Sequence, residues 1–209
     1  MTRQVLFVCT GNVFRSLTAE YALRAALHPR TEFLVASAGI DDRAQPVPPE
    51  IVDYLRQKNF DVSAHRRRTL TRELVDAADV VIAMSLDHRD FIRERFGRDA
   101  PLFLECCGHG SEALLDLHEA VRDYRSNRAA ALAYIRTTID RIVELTPRLI
   151  GRILDHDSQR LAMASRRKNI RKAAGAARRK GTIAHLPKKT RRALGKEASK
   201  VAKRKKRRG

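Results

Sequence analysis

Cysteines, long apolar runs and, in the last quarter of the chain, acidic residues are what this sequence lacks, and each absence removes a class of protein. The three cysteines, Cys9, Cys106 and Cys107, are too few and too badly spaced for a disulfide framework. Adjacent cysteines rarely bond to each other, so Cys9 is expected as a reduced thiol. No run of about 18 apolar residues occurs. The first residues, Met1-Thr2-Arg3-Gln4, pass at once into a strand-like run. Neither a spanning helix nor a secretory signal is read there, and a cytoplasmic protein is expected.

Residues 161–209 hold 20 Lys and Arg against a single acidic residue, Glu197, and contain no Phe, Tyr or Trp. Residues 1–160 hold 23 residues of each sign, so the net charge of +19 belongs to the last stretch alone. Beyond about residue 164 the bulky apolar residues thin to Ile170, Ile183, Leu186, Leu194 and Val201. Such a segment cannot bury enough apolar surface to offset its chain entropy. The expected organisation is a neutral folded domain over 1–155 and a polybasic tail over 156–209, partly helical or disordered.

Within the domain, apolar runs at Gln4 to Val8, Glu32 to Ala38 and Val80 to Met84, with a weaker one at Pro101 to Glu105, predict short buried strands. Helical patterns at Ser16 to Leu27, Pro49 to Lys58, Thr71 to Ala77, Asp87 to Phe96 and Asn127 to Leu154 alternate with them, the last read as one long amphipathic helix kinked at Pro147. Strand alternating with helix predicts an α/β domain with a parallel sheet.

The first strand runs straight into Cys9-Thr10-Gly11-Asn12-Val13-Phe14-Arg15-Ser16, and a helix follows. A strand-loop-helix turn points backbone N–H groups and a helix N-terminus at one spot, as binding a phosphoryl anion requires. Gly11 is expected to allow the tight path. The same dipoles, with the Arg15 guanidinium, favour the thiolate form of Cys9. Arg15 brings a planar fork able to grip two phosphate oxygens, and Ser16 can donate a hydrogen bond to the sulfur. A lone buried cysteine is more often a small hydrophobe, but the whole unit from strand to helix reads as a phosphate loop around a nucleophile.

On these residues the chain resembles the low-molecular-weight protein tyrosine phosphatases. The likeness extends to Ala36-Ser37-Ala38-Gly39, Val62-Ser63-Ala64-His65-Arg66, Leu70-Thr71-Arg72-Glu73-Leu74 and Ala78 to Met84, and spans about residues 3–150. It implies a four-stranded parallel sheet with helices on both faces, Cys9 as nucleophile, Arg15 as clamp and Ser16 as thiolate partner. It also implies that Asn12, Ser37 and His65 support the loop. The last two read equally well as local turn or cap residues. Phe14 stands where many members carry a second cysteine, so a disulfide switch on Cys9 is not expected. Leu17 replaces a frequent proline.

The family's acid lies in an Asp-Pro-aromatic segment before the last helix. Here that place reads Val121-Arg122-Asp123-Tyr124, without the proline. Asp123 is the expected general acid and Tyr124 a wall of the substrate slot. Asp116 is the alternative acid, and Asp123 could instead serve the following helix N-terminus. Cys106 and Cys107 do not match the thiol relay of the arsenate reductases that share this fold.

The expected function is hydrolysis of phosphate monoesters, protein phosphotyrosine foremost, through a phosphocysteine on Cys9, with no metal or other cofactor. Small aryl phosphates and phosphoarginine remain open as substrates. The alternatives are a nucleic-acid-associated protein with a phosphate-reading domain, or an arsenate reductase. The tail, residues 161–209, is expected to bind nucleic acid non-specifically.

Overall fold

Three of the four apolar runs form a parallel sheet in a computed structural model of the chain, which describes residues 2–30, 32–43, 46–151, 153, 189, 190, 192, 193 and 195. The strands are β1 (Arg3–Cys9), β2 (Phe33–Gly39) and β3 (Val80–Ala83), in the order β2-β1-β3. Register sets Leu6 beside Ala36 and Val81, and Val8 beside Ala38 and Ala83. Side chains alternate along a strand, so these residues share one face. They pack there with Val75 of α3 (Arg72–Ala77) and Ile92 of α4 (Leu86–Phe96).

Ser37 faces the other way, and its hydroxyl donates to Glu20 of α1 (Arg15–Leu27), which fixes α1 on the second face. There α1, α2 (Pro49–Gln57) and α7 (Arg128–Leu145) enclose Leu17, Ile51, Leu55, Ile135 and Ile139. Both faces are covered, which is why the strands read as unbroken apolar runs.

The sheet has three strands where four were expected. Ala83 N–H donates to Pro101 O at 2.9 Å and Leu102 makes a single parallel bridge to Ala83. The chain then turns into a short helix, α5 (Phe103–Cys106). The Glu105 carboxylate accepts the Leu102 N–H at 2.8 Å, which withdraws that donor from any ladder. Phe103 instead packs against Phe7, ring centroids 6.4 Å apart. The last helix also divides. α7 ends at Leu145, Thr146 is a turn residue, and helix resumes over 147–151 because Pro147 has no N–H to continue the ladder.

The chain divides into two units, Met1–Ile153 and Leu154–Gly209. The expectations for the tail fall almost wholly outside the described residues. Among the described residues no helix is long and apolar enough to cross a membrane.

The sheet brings the carboxyl ends of its strands to one edge, where ligands of open α/β sheets bind. Gly39 ends β2 directly against the chain leaving β1: a Cβ on it would stand 2.6 Å from Thr10 O and 3.1 Å from Asn12 N. Ile40 N–H donates to Cys9 O and Asp41 N–H to Thr10 O, each at 3.0 Å. Gly39→Ala is therefore expected to destabilise the protein by about 1–3 kcal/mol, the usual range for overpacking a tight contact. Urea unfolding of the two proteins checks this.

Candidate active site

The segment Cys9 to Ser16 closes on itself through sulfur. Cys9 is buried, its Sγ lies 3.0 Å from Ser16 Oγ, and Asn12 N–H donates to the same sulfur at 3.2 Å. Asn12, not Gly11, takes the left-handed conformation, with φ 54°. Asparagine tolerates that region better than most residues. A Cβ on Gly11 would meet only the Val13 side chain, at 3.4 Å, so the conformational freedom expected of Gly11 is not required.

Asn12 is fully buried, and its side chain joins the loop to the sheet. Its Oδ1 accepts Arg68 N–H at 3.0 Å, which orients the amide. Its Nδ2 then donates to Ser37 Oγ at 2.7 Å and to Ser16 Oγ at 3.0 Å. Ser37 donates its own proton to Glu20, whose other oxygen pairs with Arg24 at 2.6 Å. Asn12 thus donates both ways, to Ser37 and to Ser16. Ser16 Oγ accepts from Asn12 and keeps its own proton, which it donates to Cys9 when the sulfur is a thiolate, since a thiolate can only accept. His65 Nε2 lies 3.3 Å from Asn12 O, and burial holds its pKa below the usual imidazole value. Arg67 Nε donates to Gly11 O at 2.8 Å.

Arg15 opens α1 at 1% exposure, below the Phe14 ring, whose centroid lies 5.5 Å from its guanidinium carbon. One terminal nitrogen donates to Leu114 O at 2.8 Å; the other reaches Thr10 Oγ1 at 3.1 Å and Asp116 Oδ2 at 2.5 Å. Its Nε is buried with no hydrogen-bond partner among the described residues. Asp116 also accepts the Thr10 hydroxyl proton and Leu117 N–H. Burial alone would raise its pKa. The Arg15 charge and these two donors outweigh burial and hold the carboxyl below its ordinary range.

Asp116 is thus the carboxylate brought to the loop. Asp123 lies exposed in the turn 122–126, and its carboxylate makes no hydrogen bond among the described residues. Its backbone oxygen accepts from Ser126 and Asn127 just before α7. Tyr124 is half-buried in the same turn, with Arg125 stacked 5.5 Å from its ring centroid. Cys107 is buried and donates to Leu145 O at 3.5 Å.

The model of the family described as low molecular weight phosphotyrosine protein phosphatase matches residues 4–160. The chain belongs to that family. A probable low molecular weight protein-tyrosine-phosphatase EpsP of Ralstonia solanacearum is 40% identical over 85 residues, which are 40% of this chain and 57% of that protein. The protein-arginine-phosphatase of Geobacillus stearothermophilus is 33% identical over 149 residues, 69% of this chain and 96% of its own length. Among solved structures, the YwlE arginine phosphatase from Geobacillus stearothermophilus superposes with a TM-score of 0.61 at 25% identity, covering 75% of this chain and 96% of that one.

Sequence reading missed Glu20, Gly39, Ser85 and His88. Gly39 carried a signal, ending a strand inside a motif already noted. His88 carried none, because it reaches the loop only through the fold: its Nε2 lies 2.9 Å from Thr10 Oγ1. It is 2% exposed, and burial, then the Arg15 charge, hold its pKa at about 3. A depressed histidine pKa contributes stability that is full above the unfolded value near 6.5 and is lost as pH falls toward 3. Between those limits the protein is expected to lose about 1.4 kcal/mol per pH unit more than His88→Gln does. Denaturant unfolding of both at pH 7 and pH 5 checks this.

Proposed function

We propose that the chain hydrolyses phosphate monoesters of proteins, phosphotyrosine foremost, by way of a phosphocysteine on Cys9. The observation that carries this is the pair of bonds from Asn12, one to Ser37 and so to Glu20 and one to Ser16, which leaves the Ser16 hydroxyl proton for a Cys9 thiolate, beside a buried guanidinium with one donor unpartnered among the described residues. A bound phosphoryl group would satisfy that Arg15 Nε and take over the contact now made by Asp116. The Cys9 sulfur attacks phosphorus and the ester P–O bond breaks. Asp116 hands its proton to the departing oxygen. Water then attacks phosphorus, Asp116 takes back a proton, the S–P bond breaks and inorganic phosphate leaves.

Asp116 is paired and ionised in the free protein, whereas an acid must carry a proton. The arriving dianion supplies the change: it draws Arg15 away and sets negative charge beside the carboxyl, and both effects favour the protonated form. Asp116 is preferred over Asp123 on this ground, since Asp123 has no contact with the loop residues.

An aromatic leaving group is supported by the apolar lip. The large hydrophobic residues exposed among the described residues are Leu34, Leu86 and Leu115. Leu115 precedes Asp116, and the 2.9 Å bond from Leu114 N–H to Met84 O runs its segment beside the one carrying Leu86. The named activity of the Geobacillus relative makes phosphoarginine the competing substrate, and paired assays on phosphotyrosine and phosphoarginine peptides separate the two. A reduced thiol nucleophile suits a cytoplasmic location.

Cys9→Ser is expected to abolish hydrolysis of para-nitrophenyl phosphate assayed under reducing conditions. Asp116→Asn should lower kcat/KM for phenyl phosphate by about 10²–10⁴, the range for loss of a general acid, and Asp123→Asn by less than about threefold. A larger loss at Asp123 than at Asp116 would return the acid to Asp123.

For residues 161–209 we propose non-specific binding of nucleic acid by counterion release, supported by their composition alone. Full-length protein is expected to shift DNA or RNA in a gel at low salt and to lose the shift by about 0.2 M salt. A chain ending at residue 160 that binds as well would refute it.

A further inference from the structure

Thr10 Oγ1 has three polar neighbours, and their chemistry leaves one arrangement of protons. The Asp116 carboxylate can only accept, so the single hydroxyl proton of Thr10 goes to it. Arg15 can only donate, and it occupies one lone pair at 3.1 Å. The remaining lone pair faces His88 Nε2 at 2.9 Å, so that nitrogen must carry a proton. The other end of the imidazole gives the same answer independently. The Ser85 backbone N–H, which can only donate, points at His88 Nδ1 at 3.1 Å, with Ser85 Oγ 2.8 Å away. Nδ1 is therefore an acceptor and Nε2 the donor. Burial in a wholly hydrogen-bonded setting keeps the ring in this neutral tautomer.

We propose that His88 is a positioning residue for the reaction: through Thr10 it holds the Asp116 carboxyl at the phosphate loop while Arg15 is engaged by the phosphoryl group. In the free protein Thr10 and Asp116 share one terminal nitrogen of Arg15. A phosphoryl group competes for that nitrogen, and the guanidinium cannot serve all three at full strength. His88 is the one donor to Thr10 whose position does not depend on the ligand, because it is anchored on Ser85, the N-cap of α4. A hydroxyl that keeps accepting from a neutral donor keeps its own proton directed at Asp116. The ring takes no part in proton transfer itself.

This inference rests on the reading of Asp116 as the acid. Phenyl phosphate needs its leaving oxygen protonated, whereas 2,4-dinitrophenyl phosphate does not, so the two esters separate positioning of the acid from binding of the phosphoryl group. His88→Leu is expected to lower kcat/KM for phenyl phosphate about tenfold. It should leave that for 2,4-dinitrophenyl phosphate, and inhibition by inorganic phosphate, within about twofold. His88→Gln, which can present an N–H near the Nε2 position, should recover most of the loss.

Equal losses on both esters, or no loss on phenyl phosphate, would overturn the proposal. Asp116→Asn measured alongside keeps the two failures apart. A leaving-group-selective loss at Asp116 but not at His88 sinks only the positioning role, and none at Asp116 sinks the acid. Should His88→Leu not fold, proton-detected NMR of the wild-type protein decides the point. A slowly exchanging His88 Nε2–H is expected, and an Nδ1–H tautomer would refute the assignment.

Discussion

Everything at this site depends on the left-handed backbone of Asn12 and on what holds it there. A loop whose N–H groups converge on one point has no reason to persist in water without its anion. A non-glycine residue in a sparsely populated backbone region adds a cost of about 1–3 kcal/mol. Asn12 meets that cost by engaging its polar groups: N–H to Cys9, carbonyl to His65, Oδ1 to Arg68 and Nδ2 to both Ser37 and Ser16. At a net gain of about 0.5–1.5 kcal/mol per bond, those contacts outweigh the strain. The same bonds that hold the loop also leave the Ser16 proton for a Cys9 thiolate. Stability and chemistry therefore use one set of interactions.

Arg15 poses the second constraint. A guanidinium at 1% exposure requires a counter-charge whether or not substrate is present. Asp116 supplies it from 2.5 Å. Because a buried ion pair gives back in Coulomb attraction roughly what it loses in desolvation, exchanging the carboxylate for a phosphoryl group trades one paired state for another. The site is organised before the ligand arrives, which is what electrostatic stabilisation of a transition state demands. A neutral histidine fits this setting. A charged imidazole would add a like charge beside Arg15, where the nearby carboxylate, Asp116, is already paired with Arg15.

Most of the layer order was legible because it rests on short-range patterns. Apolar runs bounded by Gly and Pro marked the three strands, and the helical period marked the helices that cover them. The fourth run misled because its apolar content was right for a strand, while one side chain, Glu105, drew Leu102 N–H into a helix start instead. Gly11 misled in a similar way. A glycine in a tight loop is the natural choice for a special conformation, yet the special residue is its neighbour, and the glycine that matters, Gly39, is on another strand.

The closeness of Cys9, Arg15 and Ser16 was determined by the sequence itself, since they lie within eight residues of one another on a strand-loop-helix unit whose geometry is local. Which carboxylate and which histidine lie against that unit is set only by the tertiary structure. Thr10 meets His88 across 78 residues and Asp116 across 106. Contacts at that separation are made by the packing of helices on a sheet, and no spacing in the chain records them.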